Sequence, residues 1–233
     1  MTHVAHPYVQ RIGVNRDWRS RWFTPNPKLF REYLRTDAAV RKFLEKKLKG
    51  MSVDAVEIER NQTELRIIVK TSRPGLVIGR SGEGATRLKK ELDQLLRTLK
   101  LTTKPEVKLD IEEIRSPESS AQLVGQMIAE GLEKRLTFRR VMKQTVEKVM
   151  ANRDVEGVRV ICSGRLGGAD MARREEIKRG QVPLQTLRAD IDFARVKAIL
   201  PYGTIGIKVW IYRGQVFADR KSGQADAAPR ASA

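Results

Sequence analysis

Between Asp37 and Ile111 the spacing of apolar residues changes period in a set order, and that order constrains the fold more than any other feature of the chain. Val40, Phe43, Leu44 and Leu48 recur at helical spacing, and Gly50 closes the segment. Val56 and Ile58 then alternate with Glu57 and Glu59, and Leu65, Ile67 and Val69 with Arg66 and Lys70. That is the pattern of two half-buried strands, and Asn61-Gln62-Thr63 between them suits a hairpin. Pro74-Gly75 breaks the chain before a short apolar turn, Leu76-Val77-Ile78, and the loop Gly79-Arg80-Ser81-Gly82. Leu88, Leu92, Leu95 and Leu99 mark a helix of about four turns. Pro105 precedes a third strand, in which Val107, Leu109 and Ile111 alternate with Lys108, Asp110 and Glu112. The order helix, strand, strand, glycine loop, helix, strand implies an α+β unit over 37–115, with a three-stranded sheet carrying its helices on one face.

A second folded region follows. Ser116-Pro117-Glu118 reads as N-cap, first-turn proline and dipole-matching acid, opening a helix with Leu123, Val124, Met127, Ile128, Leu132 and Leu136 as its stripe. Thr137 is the expected cap of another helix, with Phe138, Val141, Met142, Val146 and Val149 facing inward. This pair, over 116–152, reads as a helical connector. From 153 to 217 the pattern is that of a C-terminal α/β domain with a mostly antiparallel sheet. Val158 to Ile161 forms one strand, Ser163 to Gly168 a turn, and the stretch around Leu187–Phe193 and that around Ile205–Ile211 two more strands. Residues 218–233 are small and polar, the composition of a disordered tail.

The chain holds 46 Lys and Arg against 28 Asp and Glu, a formal charge of +18. Such an excess adds self-repulsion to the folded state and is best explained by a polyanionic partner. Nucleic acid fits, because neutralised phosphates release counterions. A membrane surface does not, since there is no lipidation signal and no exposed amphipathic helix. No apolar run approaches the about 18 residues of a membrane span, and no signal-peptide core is expected. The single cysteine, Cys162, leaves no intrachain disulfide and suits a reducing cytoplasm. His3 and His6 are the only histidines, so a His/Cys metal site is not expected. No nucleophile sits beside a base, so neither catalysis nor a cofactor is expected. Asp190 and Asp192 share a strand and could hold a cation, although between Arg188 and Arg195 ion pairing is the simpler reading.

Four features suit RNA. Gly79 and Gly82 allow backbone conformations closed to other residues and let a ligand's backbone come near, with Arg80 adding charge at a helix start. KH domains use this GxxG arrangement to clamp about four nucleotides, and a unit that begins with a helix is the type II arrangement. Neither Gly79–Gly84 nor Gly164–Gly168 carries the ending of a Walker A loop. Arg139, Arg140 and Lys143 project from one side of their helix with few acids beside them. Residues 1–36 form an arm mixing Arg11, Arg16, Arg19 and Arg21 with Trp18, Trp22, Phe23 and Phe30. Such an arm covers a neighbouring domain, threads into RNA, or does both. Arg165, in its glycine turn, and Arg173 and Arg174, diluted by Glu175 and Glu176, are further candidates for phosphate contact.

The runs RPGLVIGRSGE, FRRVMK, SGRLGGADMAR, VPLQTLRADIDF and YGTIGIKVWIYRG together resemble the bacterial family of ribosomal protein three of the small subunit, over roughly Arg11 to Phe217. The resemblance implies an N-terminal arm, a type II KH domain and a C-terminal domain, placed in the head of the small subunit. It implies binding to ribosomal RNA, to messenger RNA and to small-subunit proteins ten and fourteen, at the channel through which the message enters. The family's basic trio at that channel falls on Arg139, Arg140 and Lys143, where it would assist unwinding of structured message without nucleotide hydrolysis. Three positions depart from the family's pattern: Thr2–Pro7 for its usual opening segment, Gln144 for a frequent base, and Ser81 for a frequent lysine. A free KH protein in RNA processing and a lyase acting on damaged DNA are the alternatives.

Overall fold

The computed structural model describes residues 6–61, 63–99 and 105–216; the tail expected over 218–233 lies outside the described residues. In chain order it contains α1 (Pro7–Gln10), β1 (Ser20–Arg21), α2 (Pro27–Lys47), β2 (Val53–Arg60), β3 (Glu64–Thr71), α3 (Pro74–Ile78) and α4 (Glu83–Thr98). There follow β4 (Glu106–Glu113), α5 (Ala121–Glu133), α6 (Phe138–Met150), β5 (Gly157–Gly164), β6 (Arg173–Gly180), β7 (Ala189–Leu200) and β8 (Gly203–Gln215).

The first core has the expected element order. Val40 and Leu44 of α2, with Leu48 at its C-cap, pack with Leu92 and Leu96 of α4 on Ile58, Leu65, Ile67, Val69 and Val107 of the sheet. β2 and β3 are antiparallel, while β3 and β4 run parallel, so the sheet is mixed. Two details differ from the sequence expectation. The helix expected from Asp37 begins at Pro27, capped by Asn26, whose side chain accepts from the Lys28 amide at 3.0 Å. Its early turns give no clean stripe because Phe30 and Leu34 are largely exposed. The sheet also has four strands rather than three, because β1 from the arm pairs parallel to β2 at Ser20↔Ile58. Arg41 holds this added strand, donating to the Val56 and Arg19 carbonyls and the Ser20 hydroxyl.

The second core joins α5 and α6 to a four-stranded sheet of order β6-β5-β8-β7, antiparallel throughout. The two helices expected as a connector therefore form the helical layer of this core. Val124, Ile128, Leu132, Val141, Met142 and Val146 meet Val158, Val160, Val209 and Ile211. β6 was not visible as a strand in the sequence, since Ile177 is its only apolar side chain facing the core. The helix expected from Ser116 begins four residues later. Pro117–Ser119 is a single 3₁₀ turn, and Ser120 caps α5 by accepting from the Leu123 amide. Asp192 takes the Ala121 amide at 2.8 Å and Arg213 donates to the Ser119 carbonyl, so tertiary partners decide where the helix starts.

The far face of the second sheet carries Ile191, Phe193, Trp210 and Tyr212, covered by Val182, Leu184 and the arm. His6 packs edge-on to Phe193 at 4.7 Å. Arg11 is fully buried, donating to the carbonyls of Pro7, Leu184, Thr186 and Ala189 at 2.7–3.1 Å. Arg11 was a candidate for RNA contact. With each of its three guanidinium nitrogens donating to carbonyls inside the protein, it fastens the arm instead. Arg16 likewise pairs with Asp190 at 2.6 Å, and Arg213 with Asp192 at 3.3 Å, so the ion-pair reading of the two acids holds. Among the described residues no cluster of three or more candidate metal ligands occurs, and no helix is long and apolar enough to cross a membrane.

Replacing Arg11 with Met would leave buried carbonyls without donors. The expected cost is about 3 kcal/mol, read as a fall in melting temperature of about 6–12 °C. A melting point within error of the parent's would show that the arm is held by other contacts.

Candidate nucleic-acid interface

The glycine loop is shaped by backbone conformations that differ from one glycine to the next. Gly79, at φ 73° and ψ −175°, lies in a region essentially restricted to glycine. Gly82, at φ 79° and ψ 6°, is left-handed and stands at the N-cap of α4, and Ser81 between them also has positive φ. Arg80 and Ser81 are exposed at the tip of the turn, beside the first turn of α4. A helix start of this length offers unpaired amides and a positive dipole end to an anion.

The sequence reading missed Gly84. A Cβ there would sit 2.7 Å from the Val77 carbonyl and 2.8 Å from that of Ile78, so only glycine lets α4 press against the end of α3. The repeated glycine in Ser81-Gly82-Glu83-Gly84 was the available signal. Leu76 and Ile78, read as an apolar turn, flank buried Val77 but are themselves exposed beside the loop. Exposed apolar surface of this kind can pack against unstacked bases.

The second cluster stands on α6. Arg139, Arg140 and Lys143 are all exposed on one side of the helix, opposite buried Val141, Met142, Thr145 and Val146. Arg140 and Lys143 form no ion pair with a described residue. Arg139 reaches Glu175 of β6 at 3.2 Å and lies over the Phe138 ring, with Arg173 over the same ring. Glu175 is also 3.6 Å from Arg173, so α6 and β6 share one charged seam. Arg174, on the other face of β6, pairs with Glu176.

The remaining candidates are engaged within the protein. Arg21 pairs with Asp17, Glu57 and Glu59; the hydrogen bonds of Glu59, then Asp17, push its guanidinium up. Arg19 is exposed and stacks over Tyr8 at 5.0 Å. Arg165 donates to the Ala169 and Tyr202 carbonyls and to Asp170, while Leu166 is buried, which suits a turn that fixes the sheet. Of the arm's rings, Trp22 donates to Asp37 and packs on Phe30 and Tyr33, whereas Trp18 and Phe23 are exposed. Burial pushes the Cys162 thiol up to about 12, far from a reactive thiolate at neutral pH.

With this geometry in view, comparison with known proteins is direct. Residues 39–119 match the family described as KH domain, and residues 128–211 match Ribosomal protein S3, C-terminal domain. The chain is 44% identical over 220 residues to the small ribosomal subunit protein uS3 of Caldicellulosiruptor saccharolyticus, covering 94% of this chain and 96% of the relative. It is 43% identical over 226 residues to the protein of that name from Desulfitobacterium hafniense, covering 97% and 99%. Against that of Clostridium novyi it is 41% identical over 221 residues, covering 95% and 96%.

Gly84 and Gly82 are expected to respond differently to substitution. Gly84→Ala should destabilise the chain by about 2 kcal/mol through overpacking against backbone. Gly82→Asn, in a left-handed position with open space around it, should cost under about 1 kcal/mol. Urea denaturation distinguishes them, and equal losses would contradict the backbone account.

Proposed function

The chain belongs to the family of small ribosomal subunit protein uS3, and we propose that within the subunit it holds ribosomal RNA through the KH loop and guides messenger RNA along α6. The observation that carries the second part is the exposed basic stripe of Arg139, Arg140 and Lys143, two of whose members have no ion pair among the described residues. Bases that hold the phosphates of separated strands stabilise the open form of an RNA hairpin against its paired form, and they do so without hydrolysing a nucleotide. On this reading the trio lines the channel through which the message enters and assists its unwinding.

Gly79, Arg80, Ser81 and Gly82 form the second contact, where one RNA backbone would lie across the start of α4. With a single charge at its tip, this loop supplies placement more than affinity. Small-subunit proteins ten and fourteen are the proposed protein neighbours, and the proposed location is the cytoplasmic ribosome. A free KH protein would not require the second core; a lyase acting on damaged DNA is the other alternative.

Sedimentation of a lysate through sucrose at moderate salt should place this chain with the small subunit; a chain running free would refute the ribosomal role. Changing Arg139, Arg140 and Lys143 together to Ala should slow translation through stable hairpins while sparing unstructured messages. It should also reduce the salt dependence of RNA binding by about two in log–log slope. Equal slowing of both kinds of message would remove the unwinding role.

A further inference from the structure

We propose that Glu175 is a built-in counter-ion of the RNA surface. It occupies Arg139 and Arg173 when no RNA is present and gives them up to phosphate, which extends the binding surface from α6 onto the edge strand β6. The inference rests on the proposed role of α6 and deepens it.

The geometry begins with register. Along β6, Arg173, Glu175, Ile177 and Arg179 point to one face, since successive side chains of a strand alternate. That face meets α6. Ile177 packs against the second core, Arg173 lies over Phe138 at 5.4 Å, Glu175 reaches Arg139 at 3.2 Å, and Arg179 approaches Glu147 at 3.7 Å. On α6, Arg139, Lys143 and Glu147 follow at four-residue spacing with Arg140 beside them. The seam thus carries five bases (Arg139, Arg140, Lys143, Arg173, Arg179) and two acids (Glu147, Glu175). β6 is the outer strand of its sheet, and Arg139, Lys143, Glu147, Arg173 and Arg179 along this seam are all exposed.

Glu175 has a distinctive position here. One carboxylate serves two guanidiniums, at 3.2 and 3.6 Å, that flank the same aromatic ring. The Arg139 side chain is 69% exposed, and exposed ion pairs are weak, so the carboxylate holds its partners loosely. A phosphate oxygen offers a guanidinium the same planar, charge-assisted hydrogen bonds. Exchange of one oxyanion for another then releases little free energy per contact. Such a surface holds a polyanion weakly and lets it advance. It also spares two neighbouring arginines their mutual repulsion when no RNA is bound. Glu175 acts through Arg139 and Arg173 and is a positioning residue.

The test uses the full chain and a fluorescently labelled oligouridylate, with anisotropy followed between about 50 and 200 mM salt. Glu175→Gln is expected to tighten binding roughly two- to five-fold at the low-salt end and to steepen the log–log salt slope by about one. Glu175→Asp keeps the charge and is expected to retain the parent slope. With Arg139 and Arg173 both changed to Ala, adding Glu175→Gln is expected to change nothing. A gain that survives in that background would mean Glu175 acts only as bulk surface charge and would overturn the proposal. So would a parent-like slope for Glu175→Gln alone. If replacing Arg139, Arg140 and Lys143 with Ala leaves oligouridylate binding unchanged, the role of α6 itself fails. If it weakens binding while Glu175→Gln is neutral, only the counter-ion inference fails.

Discussion

The two cores are joined at the first turn of α5, where a helix start must be satisfied by groups from distant parts of the chain. Ser120 caps the helix and at the same time donates to Asp54 of β2 at 2.5 Å. Asp192 of β7 takes the Ala121 amide, and Arg213 of β8 binds both Asp192 and the Ser119 carbonyl. Gln126, just over a turn further on, donates to the Val53 carbonyl. Amides left unpaired at a buried helix start are costly, so each of these partners is needed by the others. Burial pushes the Asp54 carboxyl up while the Ser120 hydroxyl works against that shift. This turn helps set the orientation of the glycine loop relative to α6, because α6 follows α5 in one core and β2 is a strand of the other's sheet.

Charge is distributed unevenly over the surface. The outer face of the first sheet binds its own charges across strands, pairing Arg66 with Asp110, Lys70 with Glu57, Lys108 with Glu64 and Arg21 with Glu59. Four bases there meet five acids once Glu112 is included, so that face contributes nothing to the excess of +18. The excess is carried elsewhere, notably in the arm, on α2 and on α6. A protein with a polyanionic partner gains orientation from such separation, since only some faces attract it.

Much of this was legible in the sequence, and the reasons for the exceptions are specific. The strands around Ile58, Ile67 and Val107 each bury one face, so a period of two appears. The helix before Asp37 did not show, because Phe30 and Leu34 lie outside the core, although Asn26-Pro27 is a capping signal in its own right. β6 was hidden because an edge strand with one half-buried apolar residue has no period to read. The basic trio was legible because helical geometry alone places Arg139, Arg140 and Lys143 on one side. Arg11 was not, since a guanidinium that binds four carbonyls looks in sequence like any other base of an arm. Glu175 looked like dilution of a basic cluster, and only the pairing of β6 with α6 gives it a partner.

The Arg11 fastening also has a consequence in time. Its guanidinium joins a carbonyl 178 residues further along the chain, and β1, which completes the first sheet, directly follows that anchor. During synthesis the arm is made early, but the strand it docks on is among the last folded segments to appear. The first core, with β1 held on β2 by Arg41, can close before the second sheet is made. Until Ala189 and its neighbours emerge, Arg11, Arg16 and His6 lack their partners in the second sheet. The Arg11 fastening therefore waits on a segment made late in synthesis, and it ties the arm to the second sheet across most of the described chain.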